Sequence, residues 1–282
     1  MTADMKRIFK NKFIITLLVL AIVVIIIAFA DKKSITAAKI GGYNALKYLE
    51  QTRVNEFTQE FRIYNTKHFI IKYKGADEAI VDQIGEMFER SYLLIGQAYN
   101  FYPEEKTTVM LYRTKEEFWQ YQPSLKGQEV MGLYNTGIIH ILSPNAYHYE
   151  EEDYLEKFEK DGPILHEYTH RVIDSLTRGN IDLWFTEGLA LYEEYDQLGT
   201  EWAPNFEYET YYTLEELQKN FMKLEEVQAY RQSFEIVKSI VEENGREKVM
   251  ELLNELADLN HFEAAYEKVY GKKLQYINFP LQ

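Results

Sequence analysis

An uninterrupted apolar run from Phe13 to Ala30 limits most strongly what this chain can fold into. The eighteen residues of the run include no charged side chain, and Thr16 is the only polar residue among them. As a helix the run would measure roughly 27 Å, close to the roughly 30 Å thickness of the hydrocarbon core of a bilayer. A helix that is apolar on every face is not typical of a globular core. The sequence therefore predicts one transmembrane helix over residues 13–30.

Charges beside the apolar run predict its orientation. Four basic residues precede it, namely Lys6, Arg7, Lys10 and Lys12. Such an excess of positive charge is typical of the cytoplasmic side. We therefore expect residues 1–12 to be a cytoplasmic basic tail, residues 13–30 a signal anchor, and the rest of the chain to lie outside the cytoplasm. The alternative is a secreted protein, because Ala28-Phe29-Ala30 has the small-x-small pattern of a signal-peptide cleavage site.

Composition and charge exclude several classes of protein. The 282 residues include 31 basic and 45 acidic side chains, so the net charge is −14. A chain this acidic lacks the positive surface that binds nucleic acid. It contains no cysteine, which excludes disulfides, thiolate metal sites and catalysis by a cysteine nucleophile. Any bound metal ion must therefore be held by His, Asp or Glu.

The chain after the apolar run divides into a polar segment and a larger part. Residues 31–60 predict a stalk or linker, and residues 61–282 predict one domain. Strand-like runs come first, at residues 61–64, 68–73, 107–112 and 137–142, with helices predicted at residues 77–99 and 114–119. Helical spacing dominates from Gly162 onward. This order predicts an α+β fold with a small N-terminal mixed sheet and helices, followed by a helical C-terminal half.

The pattern His-Glu-x-x-His, at His166, Glu167 and His170, is the most informative chemical motif in the sequence. Residues four apart on a helix lie on one face, one turn apart, so both imidazoles can bind one Zn²⁺. Glu167 lies about 100° around the helix, where it can take a proton from water without being a ligand. Gly162-Pro163 starts the helix, and the apolar residues around the motif indicate that it belongs to the core.

A third metal ligand is expected from the acidic residues that follow the motif. Glu187 comes 17 residues after His170, beyond a loop at residues 178–180 and on a second predicted helix. That helix could return toward the metal, and we predict Glu187 as the ligand. Glu193 and Glu194 are rival acids on the same helix.

Three further features near the motif have structural rather than catalytic interpretations. Asp174 lies one turn past His170, where it could orient an imidazole or lie in solvent. Gly188 and Ala190 are small enough to let two helices approach closely. The acidic run at residues 150–153 is interpreted as a solvated loop.

The motif and the segment Trp184–Ala190 (WFTEGLA) together resemble the gluzincin branch of the zincin-like metallopeptidases, in particular the peptidase MA-like proteins. The similarity extends from about residue 68 to the C-terminus. It implies a zincin-like fold with one Zn²⁺ per chain, held by His166, His170 and Glu187, with Glu167 as general base. It also implies that residues 137–142 form the edge strand above the active-site cleft, where an extended peptide would add by backbone hydrogen bonds.

The sequence offers three candidates for the group that would stabilise the oxyanion. Tyr230 begins an amphipathic helix and matches a tyrosine position in similar proteins, which implies a catalytic role. His140 and His261 are the alternatives.

These predictions combine into one function with one alternative. We expect a membrane-anchored, extracytoplasmic, zinc-dependent endopeptidase that hydrolyses peptide or protein substrates by metal-activated water. The alternative is a catalytically silent zincin-fold protein that serves the cell envelope by binding or as a scaffold. The sequence determines neither the substrate nor the oligomeric state.

Overall fold

The computed structural model of the chain describes residues 32–146, 153–258 and 260–274. The predicted transmembrane segment Phe13–Ala30 and most of the acidic run at residues 150–153 lie outside the described residues. Among the helices that are described, none is both long and apolar enough to cross a bilayer. The chain divides into two units, residues 1–45 and residues 46–282. The limits predicted for the basic tail, the stalk and the folded domain remain predictions.

The first described element is helix α1 (Lys32–Phe57), whose part from Leu46 onward belongs to the second unit. A mixed five-stranded sheet follows, with strand order β1-β2-β3-β5-β4. Its strands are β1 (Arg62–Asn65), β2 (Phe69–Tyr73), β3 (Thr107–Tyr112), β4 (Gly132–Asn135) and β5 (Ile138–Leu142). The pairs β2/β3 and β3/β5 are parallel, and the outer pairs β1/β2 and β4/β5 are antiparallel.

The strand predicted at residues 137–142 is present but does not lie at the edge of the sheet. Ile138 pairs with Thr108 of β3 on one side and with Asn135 of β4 on the other. The prediction of an edge strand at residues 137–142 is therefore wrong, and the edge is β4. The tight turn at Thr136 and Gly137, both with positive φ, folds β4 back beside β5. Strand β4 (GLYN) contains no β-branched residue, so its sequence gives little indication of a strand.

Helices make up most of the rest of the described chain, which confirms the predicted α+β class with a helical C-terminal half. Two lie among the strands, α2 (Val81–Tyr99) and α3 (Lys115–Tyr121). Seven follow the sheet, namely α4 (Tyr154–Asp161), α5 (Ile164–Thr177), α6 (Leu183–Glu193), α7 (Leu214–Asn220), α8 (Glu226–Asn244), α9 (Arg246–Ala257) and α10 (Phe262–Tyr270). Helix α8 begins at Glu226 rather than at Tyr230, because the Glu225 side chain caps it by accepting backbone N–H groups.

Side chains of the sheet enter two separate cores. Along β3, Val109 and Leu111 enter the main core, whereas Met110 and Tyr112 enter a smaller core on the other face. The main core is built with α2, α5, α6, α8 and α9, and the smaller core contains Val54 of α1. The central strands are thus covered on both faces, and helix α5 packs between the sheet and the later helices.

Candidate metal centre

The two histidines of the motif lie one turn apart on helix α5 and face the same carboxylate. The Nε2 atom of His166 is 3.1 Å from Oε2 of Glu187, and the Nε2 atom of His170 is 3.3 Å from the same oxygen. The three predicted ligands therefore meet at one point.

A short reversal of the chain brings Glu187 to the histidines. Helix α5 ends at Thr177, and Arg178 and Gly179 then adopt left-handed conformations with φ of 56° and 76°. This conformation ends a helix and turns the chain. Helix α6 starts five residues after Arg178 and presents Glu187 from its second turn, so that 17 residues suffice between His170 and Glu187.

The donor set and its spacing fit a zinc ion. Two imidazole nitrogens and one carboxylate oxygen are typical ligands of catalytic zinc, which leaves a fourth position open. Two atoms that each lie about 2.0 to 2.1 Å from a tetrahedral ion are roughly 3.3 Å apart. The distances from Glu187 to His166 and His170 match this value, and the three ligand atoms all lie within 4.8 Å of one another.

The outward-facing nitrogen of each imidazole has its own partner. The Nδ1 atom of His166 is 3.5 Å from Oε1 of Glu194, and Nδ1 of His170 is 2.8 Å from the hydroxyl oxygen of Thr186. Such partners fix the ring orientation and leave Nε2 available for a metal. Of the two rival acids, Glu194 therefore orients the ligand His166 and is not itself one of the three converging ligands. Glu193 is fully buried on another side of α6, where both its oxygens accept from Arg246.

Asp174 does not take the orienting role that was one of its two interpretations. Its carboxylate accepts a hydrogen bond from the Tyr134 hydroxyl at 2.5 Å and pairs with Lys47 at 3.1 Å. Asp174 thus connects helix α5 to strand β4 and to helix α1.

Charges in the site shift the protonation of its members in opposite directions. Burial by itself would raise the pKa of Glu187, but His170 and His166 hold the pKa of that carboxyl well below its usual range. Burial would lower the pKa of His166, but the carboxylates of Glu194 and Glu187 raise it well above its usual value. The two groups thus favour opposite forms, a protonated His166 and an ionised Glu187. A divalent cation would compete with the proton for the imidazole, as is general for histidine ligands.

Glu167 lies beside the ligands and is held by strand β4. Burial raises the pKa of its carboxyl, and the nearby His166 and His170 partly offset this effect. The backbone N–H of Tyr134 donates a hydrogen bond to the carboxylate. Gly132, at the start of β4, packs directly against the Glu167 side chain. Glu167 is therefore a buried carboxyl in a defined position next to the metal ligands.

An open cleft of about 700 Å³ leads to these residues. Residues of strand β4, of helices α5, α6 and α8, and of the segment before α8 line it. Its apolar lining includes Leu183, Phe221, Met222 and Leu224. The cleft is large enough for several residues of a peptide.

Tyr230 lies in the same cleft, in the second turn of helix α8. Burial raises the pKa of its hydroxyl, and the charge of Glu187, to which it hydrogen-bonds, raises it further. Gly188 of α6 lets α8 pack closely against α6, since a Cβ atom at position 188 would lie 2.5 Å from the backbone oxygen of Ser233 in α8. The expected close approach of two helices is therefore that of α6 and α8.

The two histidines considered as alternatives to Tyr230 lie elsewhere. His140 is fully buried in the smaller core, with Nδ1 2.9 Å from the hydroxyl of Tyr112. His261 is exposed at the start of α10. Neither side chain lines the cleft.

Sequence reasoning did not find three parts of the site. Thr186 sits directly before Glu187, where its hydroxyl could have suggested a partner for a histidine. Gly132 and Tyr134 belong to a strand that the sequence does not reveal, and nothing local could have indicated their contact with Glu167.

Comparisons with known proteins agree with the motif. A sequence model of the Peptidase MA superfamily matches residues 151–281. The match confirms the predicted resemblance, although it begins well after residue 68, and it includes the three ligand candidates and Tyr230. A comparison with curated proteins gives no significant match.

Proposed function

We propose that this chain, whose residues 151–281 belong to the Peptidase MA superfamily, is a zinc-dependent endopeptidase anchored in a membrane and active outside the cytoplasm. The observation that carries the proposal is the convergence of His166, His170 and Glu187 beside the buried carboxyl of Glu167, at the base of an open cleft. The anchor and its orientation are supported by the apolar run and by the basic residues before it.

The chain's own residues supply proton transfer and charge stabilisation. Zinc, held by His166, His170 and Glu187, would supply a Lewis acid that lowers the pKa of a water molecule to about 7. The Glu167 carboxylate accepts the proton of the attacking water and passes it to the amine that leaves. The raised pKa makes the Glu167 carboxylate a stronger base than an exposed glutamate, which favours acceptance of the proton.

Tyr230 is the proposed donor to the oxyanion. Its hydroxyl keeps its proton, because burial and the neighbouring Glu187 raise its pKa. It lines the cleft and hydrogen-bonds to Glu187. A neutral hydroxyl in this place can donate a hydrogen bond to negative charge that develops on the substrate.

Strand β4 is the proposed site for the substrate backbone. The backbone N–H of Leu142 donates to the carbonyl of Met131, just before β4. Because bonded and non-bonded positions alternate in an antiparallel pair, the next residue, Gly132, turns its backbone groups away from β5. Gly132 also lines the cleft. An extended peptide could pair with this outer edge by backbone hydrogen bonds.

Metal analysis and activity of two variants test the proposal. We expect one zinc ion per chain and hydrolysis of a casein-like substrate. Glu167→Gln should keep the zinc and lose about 10²- to 10⁴-fold in kcat. Glu187→Ala should lose tight zinc. Glu242→Gln, the same change at an exposed position of α8, is the matched control.

The outcomes separate the competing functions. Absence of zinc after dialysis against zinc would overturn the metal site. Bound zinc without hydrolysis of any peptide would favour the silent scaffold. Tight zinc in Glu187→Ala would remove this residue from the ligand set.

A further inference from the structure

One carboxylate oxygen joins three elements at the side of the cleft. Oδ2 of Asp174, on the metal helix α5, accepts from the Tyr134 hydroxyl of strand β4 at 2.5 Å. The same oxygen is 3.1 Å from Nζ of Lys47, on helix α1. Lys47 is 127 residues before Asp174 in the chain, so this contact is made by the fold alone.

The pair of Lys47 and Asp174 is poorly suited to be a device for stability. Their side chains are 28% and 14% exposed. Burial lowers the pKa of the Lys47 ammonium and the charge of Arg171 lowers it further, so the attraction of Asp174 does not offset these two effects. Partly buried ion pairs of this kind contribute little net stability compared with apolar residues, whereas they define the relative positions of elements.

Further contacts of α1 reach the same hairpin. Glu50, one turn after Lys47 on the same face, accepts a hydrogen bond from the side-chain amide of Asn135 at 3.1 Å. The aliphatic part of Lys47 lies beside Gly137 in the turn between β4 and β5. Helix α1 therefore contacts Asn135 at the end of β4 directly and reaches the adjacent Tyr134 through Asp174.

Tyr134 transmits this contact to the site. Its hydroxyl is held by Asp174, while its backbone N–H donates to the carboxylate of Glu167. Asp174 and Glu167 are seven residues apart on α5, so they lie on the same face two turns apart. A shift of Tyr134 along α5 would move the outer edge of β4 relative to Glu167.

We propose that Lys47 is a positioning residue for substrate binding, which through Asp174 and Tyr134 holds the edge of β4 at the height of Glu167. The inference rests on the proposed peptidase function, because the substrate is taken to bind along β4. It assigns helix α1, which leads from the apolar run, a part in the geometry of the cleft.

Kinetics of the full chain test the proposal. Lys47→Met should lower kcat/KM for a peptide on the order of tenfold, mainly through a rise in KM and with a smaller fall in kcat, because β4 both binds the substrate and contacts Glu167, while the metal ligands stay in place. Lys47→Arg keeps the charge and should restore most of the affinity. Lys248→Met removes the lysine of an exposed ion pair on α9 and should change neither parameter.

Hydrogen–deuterium exchange gives a readout that does not depend on activity. Lys47→Met should speed exchange of the peptide that contains residues 132–135 at least about threefold, with no such change in α9. Lys248→Met should show wild-type exchange at residues 132–135. If the wild-type chain proves inactive but exchange behaves as described, the proposed function fails and the positioning contact stands.

Two results would overturn the inference. One is an active enzyme in which Lys47→Met leaves both KM and exchange of β4 unchanged. The other is an equal rise of KM in Lys47→Met and Lys47→Arg, since the positioning depends on a cation and not on the loss of lysine as such.

Discussion

The side chain of Glu167 packs directly against Gly132 of strand β4. A methyl group on Gly132 would lie 2.7 Å from Oε1 of Glu167 and 2.6 Å from Cβ of Pro163. Pro163 cannot move away, because its ring is rigid and it lies at the start of helix α5. The absence of a side chain at position 132 is therefore a condition for the position of the proposed general base.

Gly132→Ala should lower kcat/KM about 10- to 100-fold while zinc stays bound, because the carboxylate of Glu167 must move by an ångström or so. Activity and metal content of the same preparation are the measurements. Gly42→Ala, where a methyl group meets no atom within 4 Å, is the control. Equal activity of the two variants would contradict the proposed constraint.

Two adjacent acids should behave differently when each is changed to glutamine. Glu194→Gln should weaken zinc binding about 10- to 100-fold, because His166 loses the charge that orients and polarises its ring. Glu193→Gln should leave zinc affinity unchanged and lower the free energy of unfolding by about 2 kcal/mol, because it breaks a buried pair with Arg246. Competition with a metal chelator and urea unfolding measure the two quantities. The opposite assignment of effects would refute this division of roles.

His140 should make stability depend on pH. Burial, and secondarily the charge of Arg53, lowers its pKa to about 3 in the folded chain, against about 6.5 when unfolded. Below pH 6.5 the unfolded chain therefore binds a proton that the folded chain does not, and stability falls as the pH falls toward 3.

The matched variant isolates this contribution. Between pH 6 and 4, the free energy of unfolding of the wild type should fall more steeply than that of His140→Gln, by about 1.4 kcal/mol per pH unit. His261→Gln is the control for removal of an exposed histidine. Parallel curves for wild type and His140→Gln would disprove the effect.

The apolar lining of the cleft predicts a preference among peptides. Met222 is 75% exposed and Leu183 is 38% exposed, although both are apolar, and the cleft also carries the acidic residues Asp174 and Glu226. Peptides with Leu or Phe beside the scissile bond should be cleaved at least about tenfold faster than the same peptides with Asp. Met222→Lys should narrow this ratio, whereas Leu93→Lys, an exposed change on α2, should not. A ratio near one in the wild type would contradict the prediction.

The parts of the site that could be predicted from sequence are those set by local spacing. The placement of His166 and His170 on one helix face follows from their separation of four residues. The end of that helix at Arg178-Gly179 and the return of Glu187 follow from a short loop between two helical patterns. The α+β class likewise follows from the order of strand-like and helix-like runs.

Contacts between distant segments were decided by the tertiary structure. Glu193 and Glu194 are neighbours in sequence and differ by about 100° around the helix, so the partners that reach each of them, Arg246 from α9 and His166 from α5, determine their roles. Strand β4 has one residue that favours strands, Tyr134, beside Gly132 and Asn135, which disfavour them, and it forms because β5 offers it backbone hydrogen bonds. The sequence thus determined the metal-binding motif, since helical spacing is a local property. The contact of β4 with Glu167 and the contact of Lys47 with Asp174 required the fold, because they join residues that only long-range packing brings together.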